Sequence, residues 1–185
     1  HAALLEAAFM AGLERNADVV HMATYAPLFA HVEGWQWRPD MIWFDNLNSV
    51  RTVSYYVQQL YARYKGTNIL PLTMDKKPLT GAEGQNGLFA SAVYDKNTSE
   101  IIVKVANTSD ESQSLNITFD GLKKKSEITG GRCIKLSSTD PNKDNTIEHP
   151  ATIVPQESVL MVQGRTLNTE IGANTFTVYI LKCGL

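Results

Sequence analysis

The sequence predicts an α/β segment over residues 1–66 followed by an all-β segment, an antiparallel β-sandwich, over residues 67–185. Three observations lead there. Helix formers run straight into a short apolar stretch at Val19, a second helical stripe follows from Val50 to Tyr64, and beyond Thr67 the apolar period falls to two.

Ala2–Glu14 (AALLEAAFMAGLE) is rich in helix formers, with Leu5, Phe9 and Leu13 four apart on one face and alanines on the others. Small and apolar residues around the whole circumference predict a helix packed on both sides. Asn16 and Asp18 close it, and Val19–Ala26 reads as a buried parallel strand. A helix, a short connection and a buried strand is the rhythm of α/β architecture. From Val50 to Tyr64, Val53, Tyr56, Val57, Leu60, Tyr61 and Tyr64 form one helical stripe; Ser54, Gln58, Gln59 and Arg63 take the wet face. Lys65 and Gly66 give the basic last turn and the glycine stop. The boundary falls near Gly66–Leu70.

Six strands are predicted after it: Leu88–Tyr94, Glu100–Ala106, Ser114–Phe119, Arg132–Ser137, Ser158–Val162 and Thr175–Lys182. Alternation at Leu115, Ile117 and Phe119, and at Phe176, Val178 and Ile180, predicts one buried and one wetter face per strand. Turn chemistry sits between them, at Gly81–Gly87, Asp120-Gly121, Gly130-Gly131 and Ser138–Asn145. No internal repeat or low-complexity tract interrupts the pattern.

With 185 residues, 43% hydrophobic and 19% charged, the chain can bury one sizeable core or two small ones. A formal net charge of -2 gives no footprint for nucleic acid, and the basic run Lys123–Lys125 reads as a solvated turn. No window reaches the apolar length of a membrane span. Cys133 and Cys183 are too few for a disulfide scaffold or a zinc site; free thiols are expected, and whether they pair is left open. Neither a metal nor a cofactor is expected. The chain opens inside a helical pattern with no methionine before it, which predicts a fragment of a longer protein.

The functional signal is the loop after the first predicted strand, HMATYAPLFAHVEGWQWRPDMIWFDN. It holds all three tryptophans, Trp35, Trp37 and Trp43, with Tyr25, Phe29 and Phe44 close by. Flat side chains beyond a strand's carboxyl end wall pockets in α/β enzymes; a hydrophobic plug over a core is the other reading. Trp35 and Trp37 sit among polar Glu33, Gln36 and Arg38, whereas Met41, Ile42 and Phe44 surround Trp43 in an apolar run. Exposure is expected for the first two and burial for the third. His21, alone on an apolar run, is expected to be a core residue rather than a ligand. Glu33, Asp40 and Asp45 are expected to cap and hydrogen-bond the loop. Three glycosylation sequons, at Asn97, Asn107 and Asn116, fall at strand ends or on a wet face and predict solvent-facing side chains and a secreted protein.

The run ALLEAAFMAGLERNADVVHMATYAPLFAHVEGWQWRPDMIWFDN, followed by a tyrosine-rich helix and a sandwich, resembles the C-terminal part of the family-51 α-L-arabinofuranosidases, most closely the plant ones. The resemblance covers essentially the whole chain and is densest over Ala2–Tyr64. It implies that residues 1–66 are the last helix–strand–helix of a (β/α)8 TIM barrel and residues 67–185 the sandwich after it. It further implies a retaining, secreted cell-wall glycosidase acting on terminal α-L-arabinofuranosyl groups of arabinans and arabinoxylans. Such enzymes need two carboxylates about 5–5.5 Å apart. In the family both are glutamates on strands that would precede residue 1, so no catalytic residue is expected here, and the partner would be the missing barrel. Tyr25, Trp35, Trp37 and Asp40 become the candidate substrate-binding residues, Asp40 standing where Trp37-Arg38-Pro39 replaces a pattern in which bacterial relatives place a glutamine. The competing reading is a non-catalytic structural or carbohydrate-binding β-sandwich module. A lack of tryptophan over residues 67–185 favours a structural sandwich.

Overall fold

The computed structural model describes residues 1–124 and 126–184; Lys125, the last of the predicted basic run, lies outside them. Helix α1 (Ala2–Arg15) leads into a long irregular segment and a small sheet of β1 (Phe29–His31), β2 (Ile42–Phe44) and β3 (Ser49–Arg51). Helix α2 (Val53–Arg63) follows. Then come β4 (Asn68–Leu70), β5 (Thr73–Met74), β6 (Lys77–Pro78), β7 (Leu88–Asp95), β8 (Glu100–Asn107) and β9 (Gln113–Thr118). The chain ends with β10 (Glu127–Ser137), β11 (Gln156–Leu160), β12 (Thr166–Ile171) and β13 (Thr175–Gly184).

All six strands expected beyond residue 67 are present. Five of them join β4 in an antiparallel sheet of order β11-β10-β13-β8-β7-β4. The sixth, β9, pairs with β12, which the sequence reading missed. TLNTEI lacks a clean apolar alternation, and only Leu167 and Ile171 point inward.

Three layers result. The β9–β12 pair covers one face of the large sheet through Leu167 and Ile171, which meet Ile101, Val103, Val105 and Tyr179. The two helices cover the other face: Ala3, Leu4, Ala7, Ala8 and Ala11 of α1 and Val57, Leu60 and Tyr61 of α2 meet Val93, Ile102, Phe176, Val178 and Ile180. The wetter face expected of each strand is therefore absent from β8 and the first seven residues of β13, which are buried almost without interruption. A sheet covered on both faces loses its alternation of exposure. The chain segments meeting near residue 66 share one core, in which both helices pack on the sheet.

Helix α1 is packed on one side rather than two. Its buried stripe is the alanine one, which lets the helix axis approach the sheet closely, while Leu5 (49% exposed) and Phe9 (67%) face outward. Helix α2 starts at Val53 rather than Val50, because Val50 belongs to β3 and Thr52 is the cap, its hydroxyl accepting from Tyr55 N at 3.4 Å. Ser54, expected on its wet face, is buried. After the helix, Gly66 has φ +63 and lies so close to Val93 that a Cβ would meet its Cγ2 at 2.7 Å, so glycine is required there.

The strand expected over Val19–Ala26 does not form. Val19 is 71% and Met22 82% exposed, and the amides of residues 21–26 donate no hydrogen bond among the described residues. A parallel strand exists only with neighbours, and no strand among the described residues pairs with it. His21, expected in the core, is exposed, its Nε2 3.3 Å from the Asp18 carbonyl. Asn107 is a second correction: it is fully buried, donating its amide to Glu111 O (2.8 Å) and Gly172 O (2.9 Å) and accepting from Ser109 and Gln113. Asn97 and Asn116 are exposed. Both cysteines are free; Cys133 is buried and Cys183 half-buried.

The helix layer is fixed to the sheet by an ion pair. Lys104, wholly inaccessible on β8, donates to Glu14 Oε1 at 2.6 Å and to Tyr64 O at 2.6 Å, while Ser91 Oγ donates to Glu14 Oε2 at 2.5 Å. Burial lowers the Lys104 pKa despite Glu14. Removing one member of a buried pair leaves the other uncompensated. We expect Glu14→Ala to cost about 3–5 kcal/mol in urea unfolding, and Glu14→Leu with Lys104→Met to recover most of it. A loss below about 1 kcal/mol for the single variant would show that the pair does not hold the layers together.

Candidate functional site

The aromatic loop is strung between two parallel strands. β1 and β2 pair with Ala30 opposite Trp43, and residues 32–41 cross from one to the other carrying Trp35, Trp37, Arg38 and Asp40. β2 then reverses into β3 through a turn organised by Asp45, whose Oδ1 accepts from Leu47 N (2.7 Å) and Asn48 N (2.5 Å). Those amides hold its carboxyl below the usual carboxylate range. Thr52 ties the end of the loop to α2, since its hydroxyl donates to Met41 O at 2.9 Å while its oxygen caps the helix.

Trp43 is buried in a small core with Ala30 and Val50, backed by Ile147. Trp35 stands edge-on to it at 5.9 Å and 90°, and is 45% exposed. The Arg38 guanidinium lies over both indoles, 4.8 Å from the Trp35 ring centre and 4.9 Å from that of Trp43. Trp37 is 58% exposed. The structure thus distributes the tryptophans as their neighbours in sequence imply, one inside and two outside.

Tyr25 and Asp40 sit deeper than the sequence suggested. Tyr25 is half-buried on irregular chain rather than at a strand end, and its hydroxyl donates to Glu6 Oε1 at 2.8 Å. Burial, reinforced by Glu6 and Asp40, pushes the phenol up to about 12. Asp40 is 1% exposed, and its Oδ2 has no hydrogen-bond partner among the described residues. The loop hydrogen bonding expected of Asp40 is not made by Oδ2 among the described residues. Burial raises the Asp40 pKa, and the charge of Arg38 offsets part of the rise. Glu33 is exposed, its backbone N–H donating to His31 Nδ1 at 3.2 Å. Tyr25 feels the charge of Asp40, and Asp40 that of Arg38, whose guanidinium lies over Trp35; among the described residues Trp37 makes no aromatic or cation–π contact.

Sequence reasoning missed Glu6, which lies on α1 outside any motif, and the stacking of Arg38. The second was marked by an arginine directly after Trp37 within a tryptophan-rich stretch. It also missed a cavity of about 380 Å³ where the loop meets the sandwich, lined by Arg38, Trp43, Thr52, Ser54, Asp140 and Asp144. Among the described residues no group of three or more His, Cys, Asp and Glu is placed to hold a metal, and no helix is long and apolar enough to cross a membrane.

The Asp40 environment has a pH consequence. A carboxyl whose pKa is raised on folding keeps its proton while the unfolded chain has lost it, so stability falls as pH rises from 3.8 through the folded value. Asp40→Asn removes that loss. The melting temperature of the variant should gain on that of the unaltered chain between about pH 3 and pH 7, and an equal difference across the range would mean that burial does not govern this carboxyl.

Comparison with known proteins gives the family. The profile of the α-L-arabinofuranosidase C-terminal domain matches residues 1–174. The chain is 32% identical over 183 residues to α-L-arabinofuranosidase 1 of Arabidopsis thaliana, covering 97% of this chain and 26% of that protein. An extracellular exo-α-L-arabinofuranosidase of Streptomyces chartreusis is 42% identical over 154 residues, covering 78% of this chain and 18% of its own length. Among solved structures, an arabinose-bound GH51 α-L-arabinofuranosidase superposes with a TM-score of 0.86 at 31% identity, over 98% of this chain and 27% of the other. The chain spans about a quarter of the length of such relatives. Its mostly β architecture matches the C-terminal β-sandwich of GH51 enzymes, no closed TIM barrel is formed among the described residues, and the chain belongs to the α-L-arabinofuranosidase C-terminal domain family.

Proposed function

We propose that this chain is the C-terminal part of a retaining, exo-acting α-L-arabinofuranosidase that removes terminal non-reducing α-L-arabinofuranosyl groups from arabinans, arabinoxylans and related glycosides. Residues 1–66 supply the last helix–strand–helix of its (β/α)8 barrel and residues 67–185 its sandwich. The observation that carries the reading is the surface this chain leaves bare. Leu5, Phe9, Val19, Met22, Leu28 and Phe29 are exposed, and the amides of residues 21–26 donate no hydrogen bond among the described residues. Exposed apolar side chains near backbone donors without partners are what a neighbouring strand would cover. The rest of the barrel is that neighbour, and the run from Val19 to Ala26 becomes a strand beside it.

In this reading the loop walls the sugar pocket, as loops after barrel strands do. Sugars present C–H faces that stack on indole, which suits the exposed Trp35 and Trp37, with Tyr25 and Asp40 as the polar floor beneath. The nucleophile and acid/base belong to the remainder of the barrel, because retention requires two closely spaced carboxylates that the family places on its fourth and seventh strands. Purified alone, the 185-residue chain should not hydrolyse an aryl α-L-arabinofuranoside above buffer. In the complete enzyme Trp37→Ala should lower kcat/KM with the melting temperature nearly kept, whereas Trp43→Ala should cost about 3–5 kcal/mol of stability. Activity of the chain alone, or a fully active Trp37→Ala enzyme, would sink the pocket assignment.

A secreted, cell-wall location follows the same reading, supported by the extracellular relative and by sequons at exposed positions. Protein made in a plant secretory host should carry glycans at Asn97 and Asn116, and none at Asn107, whose amide is buried and donates twice within the folded chain. Peptide mass mapping before and after glycosidase treatment decides it, and an unmodified Asn97 and Asn116 would count against secretion.

A further inference from the structure

The Arg38 guanidinium is the one cation of the aromatic loop, and its environment is unusual for an exposed arginine. Two indoles at right angles form a corner, and the guanidinium occupies it at 4.8 and 4.9 Å. Among the described residues it makes neither a hydrogen bond nor an ion pair; Asp40 feels its charge without touching it. A guanidinium stacks through a face and hydrogen-bonds through its edges; of two indoles at right angles only one can lie along a face, and the N–H groups have no hydrogen-bond or ion-pair partner among the described residues, which leaves the planar fork available. Held by two rings, the side chain loses little further freedom when the fork is engaged. The group that matches a planar fork is a carboxylate or a phosphate. The exposed Trp37 immediately before it offers a stacking surface for a sugar ring, and Arg38 itself lines the cavity of about 380 Å³.

We propose that Arg38 is a specificity residue that reads the carboxylate of an acidic sugar, so that the preferred substrates are arabinose-bearing polysaccharides with a uronic acid residue near the arabinosyl branch. This rests on the pocket reading above and narrows it from arabinosylated glycans in general to acidic ones. A carboxylate from another part of a longer polypeptide would also fit the fork. In that case Arg38 is already satisfied by protein and gives no preference between acidic and neutral sugars.

The three tryptophans all lie in this loop, so the fluorescence of the chain reports on the site. The chain is titrated with an arabinosylated xylo-oligosaccharide carrying one glucuronic acid, and with the same oligosaccharide after reduction of its carboxyl to the alcohol. The acidic ligand should bind roughly five- to tenfold more tightly, with a margin that narrows as salt rises from about 0.05 to 0.5 M. Arg38→Gln should abolish the preference while leaving the affinity for the reduced ligand within about twofold. Arg38→Lys, which keeps the charge without the fork, should lose more than half of it, and this variant carries the test if Arg38→Gln fails to fold. Equal binding of the two ligands to the unaltered chain, or a preference that survives either substitution in full, overturns the proposal and leaves the pocket reading standing. Binding of neither ligand overturns the proposal, while the pocket reading, which assigns the remaining walls to the rest of the barrel, is decided by Trp37→Ala in the complete enzyme.

Discussion

A lysine with no access to water, in the middle of a sheet covered on both faces, sets the terms for the rest of this structure. Lys104 must find a counter-charge inside the protein, and Glu14 supplies it from the last turn of α1. The same ammonium reaches the Tyr64 carbonyl at the end of α2, and Ser91 on β7 completes the carboxylate. One point therefore fixes the C-terminal ends of both helices and two strands. Arg15 repeats the fixation one residue on, donating to Leu79 O and Ala90 O at 3.0 and 2.6 Å. Buried ionic contacts add little net stability, but they penalise every other alignment of the layers, and here they set where the aromatic loop begins. The loop leaves α1 directly after this anchor and returns at Thr52, the cap of α2, so its two ends are held by helices that cannot slide on the sheet.

What the sequence showed and what it hid follow from whether a signal is local. Trp43 in the run from Met41 to Phe44 announced its burial, and Trp35 and Trp37 among Glu33, Gln36 and Arg38 announced their exposure, because the neighbours of each residue decide its polarity. The strands after residue 67 were legible for the same reason. Lys104 was not: in IIVKVAN it reads as the outward residue of a half-wet strand, and only the helix layer behind it turns that position inward. Helix α1 misled in the opposite sense. With apolar residues on every side, the buried stripe is chosen by what lies against it, and the sheet selected the alanines over Leu5 and Phe9.

Val19–Ala26 and Asn107 show two further limits. The first has the composition of a buried strand and no partner, and strand formation is a property of a pair rather than of a segment. Asn107 sits at a strand end as a glycan acceptor would, but its side chain serves as the hub of the following turn, with Ser109, Glu111, Gln113 and Gly172 gathered around one amide. A sequon records three residue types, and the network that consumes the amide spans a loop sixty-five residues away in sequence.

The bare surface of the chain is of two kinds, and their chemistry separates them. Leu5, Phe9, Val19 and Met22 are mostly aliphatic, lie on or after α1, and adjoin residues 21–26, whose amides donate no hydrogen bond among the described residues. Such a surface demands both apolar cover and backbone pairing, which a polypeptide provides and a sugar does not. Trp35 and Trp37 are aromatic, interleaved with Glu33, Gln36 and Arg38, and carried on a loop crossing between two paired strands and closed by a helix cap. That surface offers stacking faces and hydrogen-bonding groups without demanding a strand, which is what a carbohydrate can satisfy. On the proposed pocket reading the same loop divides a side suited to protein from a side suited to ligand, and Trp43, packed against Ala30 and Val50 and edge-on to Trp35, is the buried support between them.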